Sequence, residues 1–233
     1  MRPSPVRASA PPAWGGGASG DTAFRILGPV RAERSSHPVP LPGGKQRTLL
    51  AALLARAGAG VPAGELVPYI LSGGGPENPE AAVYTYVARL RSALARHAGC
   101  PDLIRTTRDG YRADLGPDRL DLSAFRVLVE RAMRRVEQPD LRGGAADLRD
   151  ALALWRGPAA DGLGSAAFRR AVAEPLEEEA VRALDRYLDI MSALGEDSDA
   201  LAELRGMAVV HRGRGALGRR LGEALRNHGE GTA

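Results

Sequence analysis

Residues 78–115 read NPEAAVYTYVARLRSALARHAGCPDLIRTTRDGYRADL. Asn78 suits a helix N-cap, because its side-chain oxygen accepts from an orphan backbone N–H. Pro79 suits the first helical position, where no N–H is needed. Val83, Val87, Leu90 and Leu94 recur at helical spacing as one apolar stripe. At about 100° per residue, Thr85, Arg89, Ser92 and Arg96 fall on the opposite side, a face with hydroxyls and guanidiniums and no carboxylate. Tyr84 and Arg91 flank one edge of that face, Tyr86 and His97 the other. Gly99-Cys100-Pro101 stops the helix. Residues 103–107 and 111–115 read as two short strands around Arg108-Asp109-Gly110, and Asp-Gly is a hairpin turn signal.

A helix with one cationic face, followed by a hairpin with a basic tip, suits double-stranded DNA. The helix would enter the major groove and the hairpin would lie along phosphates. Thr85, Arg89 and Ser92 are the expected base-edge contacts, with Arg89 on guanine O6 and N7. Tyr84, Arg91, Arg96, Arg105, Thr106 and Arg108 are the expected phosphate or sugar contacts. The alternative for the helix alone is an amphipathic element whose arginines are simply solvated.

The charge balance favours the first reading. Residues 1–116 hold 14 Arg or Lys against 8 Asp or Glu, a balance of +6; the rest of the chain holds 18 against 20, or −2. That asymmetry is the footprint of a nucleic-acid module joined to a neutral partner. Hydrophobic residues are 44% of the 233 and aromatics only 4%, so the cores must be built of Leu, Val and Ala. The length suits one large or two small domains. A lone cysteine, Cys100, excludes an internal disulfide and agrees with a reducing cytoplasm. No run approaches the length of a membrane span, and the N-terminus lacks the apolar core of a secretory signal. Arginine outnumbers lysine 31 to 1, which reads as genomic base composition and not as function.

Taken in order, residues 1–22 are Pro-, Gly- and Ala-rich and are expected to be a disordered tail containing Trp14. Strand-like runs follow at 24–27, 30–33 and 39–41. Lys45 to Ala57 is the first clear helix, with Leu49, Leu50, Leu53 and Leu54 inward and Gly58 as its stop. Gly44-Lys45 lacks the preceding glycine and following hydroxyl of a phosphate-binding loop. Lys45 and Arg47 are therefore surface charges at a helix start, with phosphate contact the other option. Glu65 to Leu71 reads as a short helix with Leu66 and Ile70 inward. Pro68 inside it costs about 3 kcal/mol, so it must be short, bent or late-starting. Ser72 to Pro76 is a Gly-rich connection.

In the second half, helices are expected at 121–136 (Phe125, Leu128, Val129 and Ala132 inward), 147–155 (Leu148, Leu152, Trp155), 167–194 with a break at Pro175, 198–210 and 217–226. Trp155 reads as a core anchor, and Glu177-Glu178-Glu179 as a solvated helix face and not a metal site. Ala183-Leu184-x-Arg186-x-Leu188 recurs 33 residues later as Ala216-Leu217-x-Arg219-x-Leu221, a spacing near that of tetratricopeptide-like helix pairs. The last helix has Gly218 and Gly222 inside it, at about 1 kcal/mol each relative to alanine. It also lacks a following partner helix, so it is expected to open locally.

The order of these pieces resembles an OmpR-type winged helix. The fragments LGPV, KQRTLLAALLARAG, TYVARLRSAL and GYRADL resemble the Streptomyces antibiotic regulatory protein family. LDLSAFRVLVERA, DLRDALALWRGPA and EPLEEEAVRALDRYLDIM resemble that family's bacterial transcriptional activator domain. The resemblance covers roughly residues 24–229. It implies a mainly α fold with a small β part: an N-terminal winged helix-turn-helix at 23–116, then an all-α tetratricopeptide-like helical domain at 117–233, truncated at its C-terminus. It implies a pathway-specific activator of a secondary-metabolite gene cluster that binds promoter direct repeats and recruits RNA polymerase; a homodimer on DNA is one arrangement open to it. It also implies a cytoplasmic, nucleoid-associated protein. The chain departs from the family in having Leu71-Ser72-Gly73 where Leu-Trp-Gly is usual, in a region that contacts the transcription machinery in such folds. The competing class is a protein-interaction adaptor, a helical-repeat scaffold whose winged helix binds DNA weakly or no longer activates. No enzyme is expected: the four histidines are scattered, no nucleophile context appears, and no catalytic residue, metal or cofactor is assigned.

Overall fold

Two three-stranded sheets and nine α-helices build the described part of the chain. The computed structural model describes residues 21–71 and 78–229. The expected tail, with Trp14, and the Gly-rich connection fall largely on residues outside these ranges. Thr22, placed at the tail's end, instead opens a strand and is buried, its hydroxyl donating to the Ala98 carbonyl at 2.6 Å.

The first sheet has strands β1 (Thr22–Arg25), β2 (Arg31–Arg34) and β3 (His37–Val39), antiparallel in that order. Helix α1 (Gly44–Ala55) follows, and β4 (Gly60–Pro62) leads into α2 (Ala63–Ile70). Every residue of α1 from Thr48 to Ala55 is buried, so it is the hub of the N-terminal half rather than a one-faced surface helix. Helix α2 is short, as its internal Pro68 requires, and buries Leu66 and Ile70. Helix α3 (Pro79–Ala93) starts as its sequence dictates: the Asn78 side chain accepts from the Ala81 N–H at 3.1 Å, and Pro79 stands in the first turn. Its last turn widens into a π-turn at Leu94–Ala98, and Gly99 ends it at φ 64°. Strands β5 (Ile104–Thr106) and β6 (Gly110–Ala113) form the expected hairpin; β5 is one residue shorter at each end, and β6 starts one residue early, at Gly110, and ends two early.

That hairpin belongs to a second sheet of order β4-β6-β5, and the sequence reading lacked β4 altogether. Gly110 serves a different purpose from the one expected. A Cβ there would sit 2.0 Å from the Val61 carbonyl oxygen, so glycine lets β4 and β6 close up.

The second half is helical: α4 (Asp121–Glu137), α5 (Leu141–Ala153), α6 (Ala166–Phe168), α7 (Glu174–Leu194), α8 (Asp197–His211) and α9 (Gly215–Gly229). Phe125 and Trp155 meet edge to face at 5.6 Å, both buried, which makes Trp155 a core anchor. Helix α5 begins six residues earlier than expected. Asp140 caps it by accepting from the Gly143 N–H at 3.0 Å, and Gly144 lies against the Ala132 carbonyl and Val136 of α4. A π-turn at Arg169–Ala173 precedes α7, and Pro175 stands in the α7 first turn.

The three consecutive glutamates do not share one fate, which corrects the solvated-face reading. Glu178 is exposed, Glu179 holds Arg126 through two hydrogen bonds of 2.9 and 2.8 Å, and Glu177 is buried. The Glu177 carboxylate accepts from the Ala216 N–H at the start of α9. Helix α9 therefore has an acidic cap supplied by another helix. Its stripe is covered by α7 and α8, with Leu217 and Leu221 buried, and Arg220 bonds Asp185 at 2.8 Å. The expected loose C-terminal helix is packed on both neighbours. Its glycines also differ from each other. A Cβ on Gly218 would lie 3.0 Å from the Gly213 carbonyl carbon and 3.3 Å from the His211 Cβ, whereas one on Gly222 would meet only the mobile end of Arg226. Gly222→Ala should stabilise the protein by up to about 1 kcal/mol, as helix propensity dictates. Gly218→Ala should instead destabilise it by about 1–3 kcal/mol through overpacking. Urea midpoints of the two variants on opposite sides of the parent would bear this out; both rising together would not.

The halves share one core. Phe24 bridges Leu120, the Leu27 carbonyl accepts from the Arg156 N–H at 2.8 Å, and the Ile26 carbonyl accepts from the Ala160 N–H at 2.9 Å. At the far side, Tyr69 of α2 packs edge to face on Phe168 at 5.8 Å, and the Ser165 hydroxyl donates to the Pro68 carbonyl at 2.6 Å. At the centre of this seam sits Asp121, the first residue of α4 and 1% exposed. Its carboxylate accepts from the N–H groups of Ile26 (2.8 and 3.0 Å), Leu27 (3.0 Å) and Leu122 (2.9 Å), and from Arg156 at 3.3 Å. Burial pushes this carboxyl up, while the Ile26 and Leu27 N–H groups and the Arg156 guanidinium pull it back.

Candidate nucleic-acid interface

Helix α3 is held from behind. Val83, Val87, Leu90 and Leu94 are buried as expected, against α1 and α2. The opposite face is thereby turned outward, and Thr85, Arg89, Ser92 and Arg96 are all exposed on it. Ala81 and Ala88 lie exposed on the same side. Small side chains there leave the helix backbone free to approach a groove floor, with Arg89 reaching beyond it. The Thr85 hydroxyl donates to the Ala81 carbonyl at 3.0 Å, so its remaining capacity is to accept. Arg96 lies in the π-turn, where simple helical periodicity no longer sets its direction.

Tyr86 organises one edge of this face. The Arg89 guanidinium stands 6.0 Å from the centre of its ring and the Lys45 ammonium 5.4 Å, each a cation–π distance. Lys45, at the start of α1, thus joins the cationic side of α3 although 44 residues separate it from Arg89 in the chain. Lys45 has no local signal in the sequence that links it to Tyr86. Arg47, by contrast, is half-buried and donates to the Pro42 carbonyl at 3.3 Å.

The other edge is the β5–β6 hairpin. Tyr84 is 67% exposed on α3. Arg91 is turned toward the hairpin: its Nε donates to the Ile104 carbonyl at 3.0 Å and a terminal nitrogen donates to the Thr106 hydroxyl at 2.9 Å. Its guanidinium carbon lies 5.7 Å from the centre of the Tyr111 ring. Burial pushes the Tyr111 phenol up, and Arg91 offsets part of that rise. Arg105 pairs with Asp114 at 3.1 Å, and Asp114 also takes Arg112 at 3.0 Å. Arg105 is 61% exposed, and an exposed pair of this kind contributes about 0–1 kcal/mol, so a phosphate competes easily for it. Arg108 is exposed at the hairpin tip.

The nine residues expected to face nucleic acid thus divide. Thr85, Arg89, Ser92, Tyr84, Arg96, Arg105 and Arg108 lie exposed along α3 and the hairpin. Arg91 and Thr106 are engaged with each other between them. Among the described residues no group of three or more His, Cys, Asp or Glu is placed to hold a metal ion, and no helix is long and apolar enough to cross a membrane.

Comparison with known proteins bears on both halves. Residues 120–233 match the family model of the bacterial transcriptional activator domain. The chain is 32% identical over 194 residues to the regulatory protein AfsR of Streptomyces coelicolor, a match covering 83% of this chain and 19% of that protein. It is 28% identical over 194 residues to the regulatory protein DnrI of Streptomyces peucetius, covering 81% of this chain and 71% of that one. Among solved structures it resembles Mycobacterium tuberculosis EmbR, determined in complex with a low affinity phosphopeptide, with TM-score 0.69 and 25% identity. That match covers 89% of this chain and 54% of the EmbR chain. The chain therefore spans about a fifth of the AfsR length and about half of the EmbR chain. The winged helix followed by a helical domain, expected from the sequence, is the architecture of this match.

Proposed function

The chain belongs to the Streptomyces antibiotic regulatory protein family of transcriptional regulators, and from that premise we propose that it reads double-stranded DNA by sequence. Helix α3 lies in the major groove. Thr85, Arg89 and Ser92 meet base edges there, with Arg89 bidentate on guanine. Tyr84, Arg96, Arg105 and Arg108 meet phosphate or sugar, and Lys45 joins them from α1. Residues 23–116 form the DNA-binding unit and residues 117–233 the activator unit. By family resemblance, two copies bind direct repeats at promoters of a secondary-metabolite gene cluster and recruit RNA polymerase, in the cytoplasm at the nucleoid.

The observation that carries this reading is the outward face of α3. From Ala81 to Ala98 it holds no carboxylate, presents hydroxyls, small residues and guanidiniums together, and is flanked by a hairpin carrying Arg105 and Arg108. Charge of that kind acts on phosphates by releasing counterions, so affinity must fall with salt. With about 4 phosphates neutralised per protomer, the log–log slope of affinity against salt should be near −3.6. Fluorescence anisotropy with a labelled duplex between low and moderate salt measures it. A flat line would exclude this mode of binding. Promoter binding without transcription in a reconstituted assay would favour the adaptor reading of the helical half.

A further inference from the structure

We propose that Arg91 is a positioning residue: it locks the β5–β6 hairpin to helix α3, so that the two DNA-facing elements act as one rigid reader. The inference rests on the DNA-binding reading above. It gives Arg91 and Thr106 a role different from the other residues of the face.

Three observations carry it. Strand β5 is the outer strand of its sheet, since the order is β4-β6-β5. In the antiparallel pair, alternate residues turn their backbone groups toward the partner strand and away from it. The Leu103 carbonyl accepts from the Asp114 N–H at 2.8 Å, so Leu103 turns inward and Ile104 outward. The Ile104 carbonyl would face the open edge alone, and Arg91 Nε supplies its donor at 3.0 Å. The same guanidinium donates to Thr106 Oγ1 at 2.9 Å, two residues further along that edge. The Tyr111 ring of β6 lies beneath it at 5.7 Å. A planar fork with fixed N–H directions thus spans two positions of the edge strand and stacks on Tyr111 of the neighbouring strand. A lysine ammonium has the charge and the reach but not the fork.

The consequence follows from where the charges sit. Arg89 on α3 and Arg105 and Arg108 on the hairpin must meet one duplex together. The outer strand β5 is held by backbone pairing on one side only, and ordering it during binding would lower affinity. Fixing it beforehand to α3 removes that cost. The role predicts that charge at position 91 is insufficient and that geometry is decisive.

The test uses the full chain and the variants Arg91→Lys, Thr106→Val and their combination. None of these removes a positive charge. In the free protein, amide hydrogen exchange is followed at Thr107 and Asp114, which donate within the hairpin to Gly110 and Leu103. Exchange there should speed up about tenfold in Arg91→Lys and by less in Thr106→Val, which keeps the Ile104 bond, with little more in the combined variant than in Arg91→Lys. Affinity for a duplex selected by the parent protein should fall in the same order, about tenfold in Arg91→Lys. Unchanged exchange in Arg91→Lys overturns the proposal whatever the DNA result. Faster exchange with affinity within twofold of the parent also overturns it, since the lock would then not serve binding. If the parent protein binds no duplex, the proposed function fails, and the exchange measurement alone still decides whether Arg91 holds the hairpin.

Discussion

Asp121→Ala should cost about 3–5 kcal/mol of folding stability, a large part of the roughly 5–15 kcal/mol that holds a domain together. The carboxylate is almost fully enclosed and is the shared acceptor for three backbone N–H groups and one guanidinium. Two of those N–H groups, from Ile26 and Leu27, belong to the segment after β1, and Arg156 follows α5. Alanine would leave the three N–H groups without this acceptor in a place that water does not reach, where each unmet donor costs about 1–3 kcal/mol, and would leave Arg156 only its bond to the Pro29 carbonyl. Arg156 is itself held below its usual range by burial and is partly restored by Asp121, so losing the acid strands a half-buried cation. Asp121→Asn keeps one acceptor oxygen and should fall between alanine and the parent. Urea denaturation measures the order. Because the residue ties both halves, signals from the sheets and from the helical half should shift together. A loss below about 1 kcal/mol in Asp121→Ala would mean that the seam is held elsewhere.

Arg89→Ala should weaken binding to the preferred DNA site by about 1–3 kcal/mol and relax the preference at one base position. That is about fivefold to more than a hundredfold in affinity. The side chain is exposed, rests against Tyr86 and lies between Thr85 and Ser92 on the outward face, with Arg96 about two turns further along. Arg108→Ala, at the hairpin tip, should weaken all sequences alike and make the salt slope shallower by about 0.9, one phosphate's worth. Competition binding against single-base variants of the site separates the two effects. Identical specificity profiles in both mutants would place the reading face somewhere other than on α3.

The parts of this structure that sequence reasoning reached are those specified by neighbours in the chain. Asn78 and Pro79 start α3 by local chemistry, and the stripe from Val83 to Leu94 needs only helical periodicity. Strand β4 escaped because it is three residues long, has Gly60 and Pro62 at its ends, and exists only by pairing with β6 some fifty residues later. The turn between β2 and β3 uses Ser35 and Ser36, both at positive φ, where Asn-Gly would have announced a hairpin. Asp121 looks like an ordinary first-turn acid; only the fold brings Ile26 and Leu27 to it. Glu177, Glu178 and Glu179 are chemically identical in the sequence and differ solely in what α9 and α4 present to them. The candidate interface divides the same way. The exposed face of α3 was readable from angles along one helix. The partners of Arg91 lie 13 and 15 residues away, and Lys45 reaches Tyr86 from another helix, so neither has a periodic signature.

The central claim, that this chain reads DNA by sequence through α3, is tested most directly by selection from a random pool of DNA duplexes at moderate salt. The full chain and its Arg89→Ala variant are carried through the same rounds, and the bound duplexes are sequenced. The parent should enrich one motif that includes a guanine position, and the variant should enrich the same motif with that position degenerate. No enrichment by the parent, or an unaltered motif from Arg89→Ala, would contradict the account.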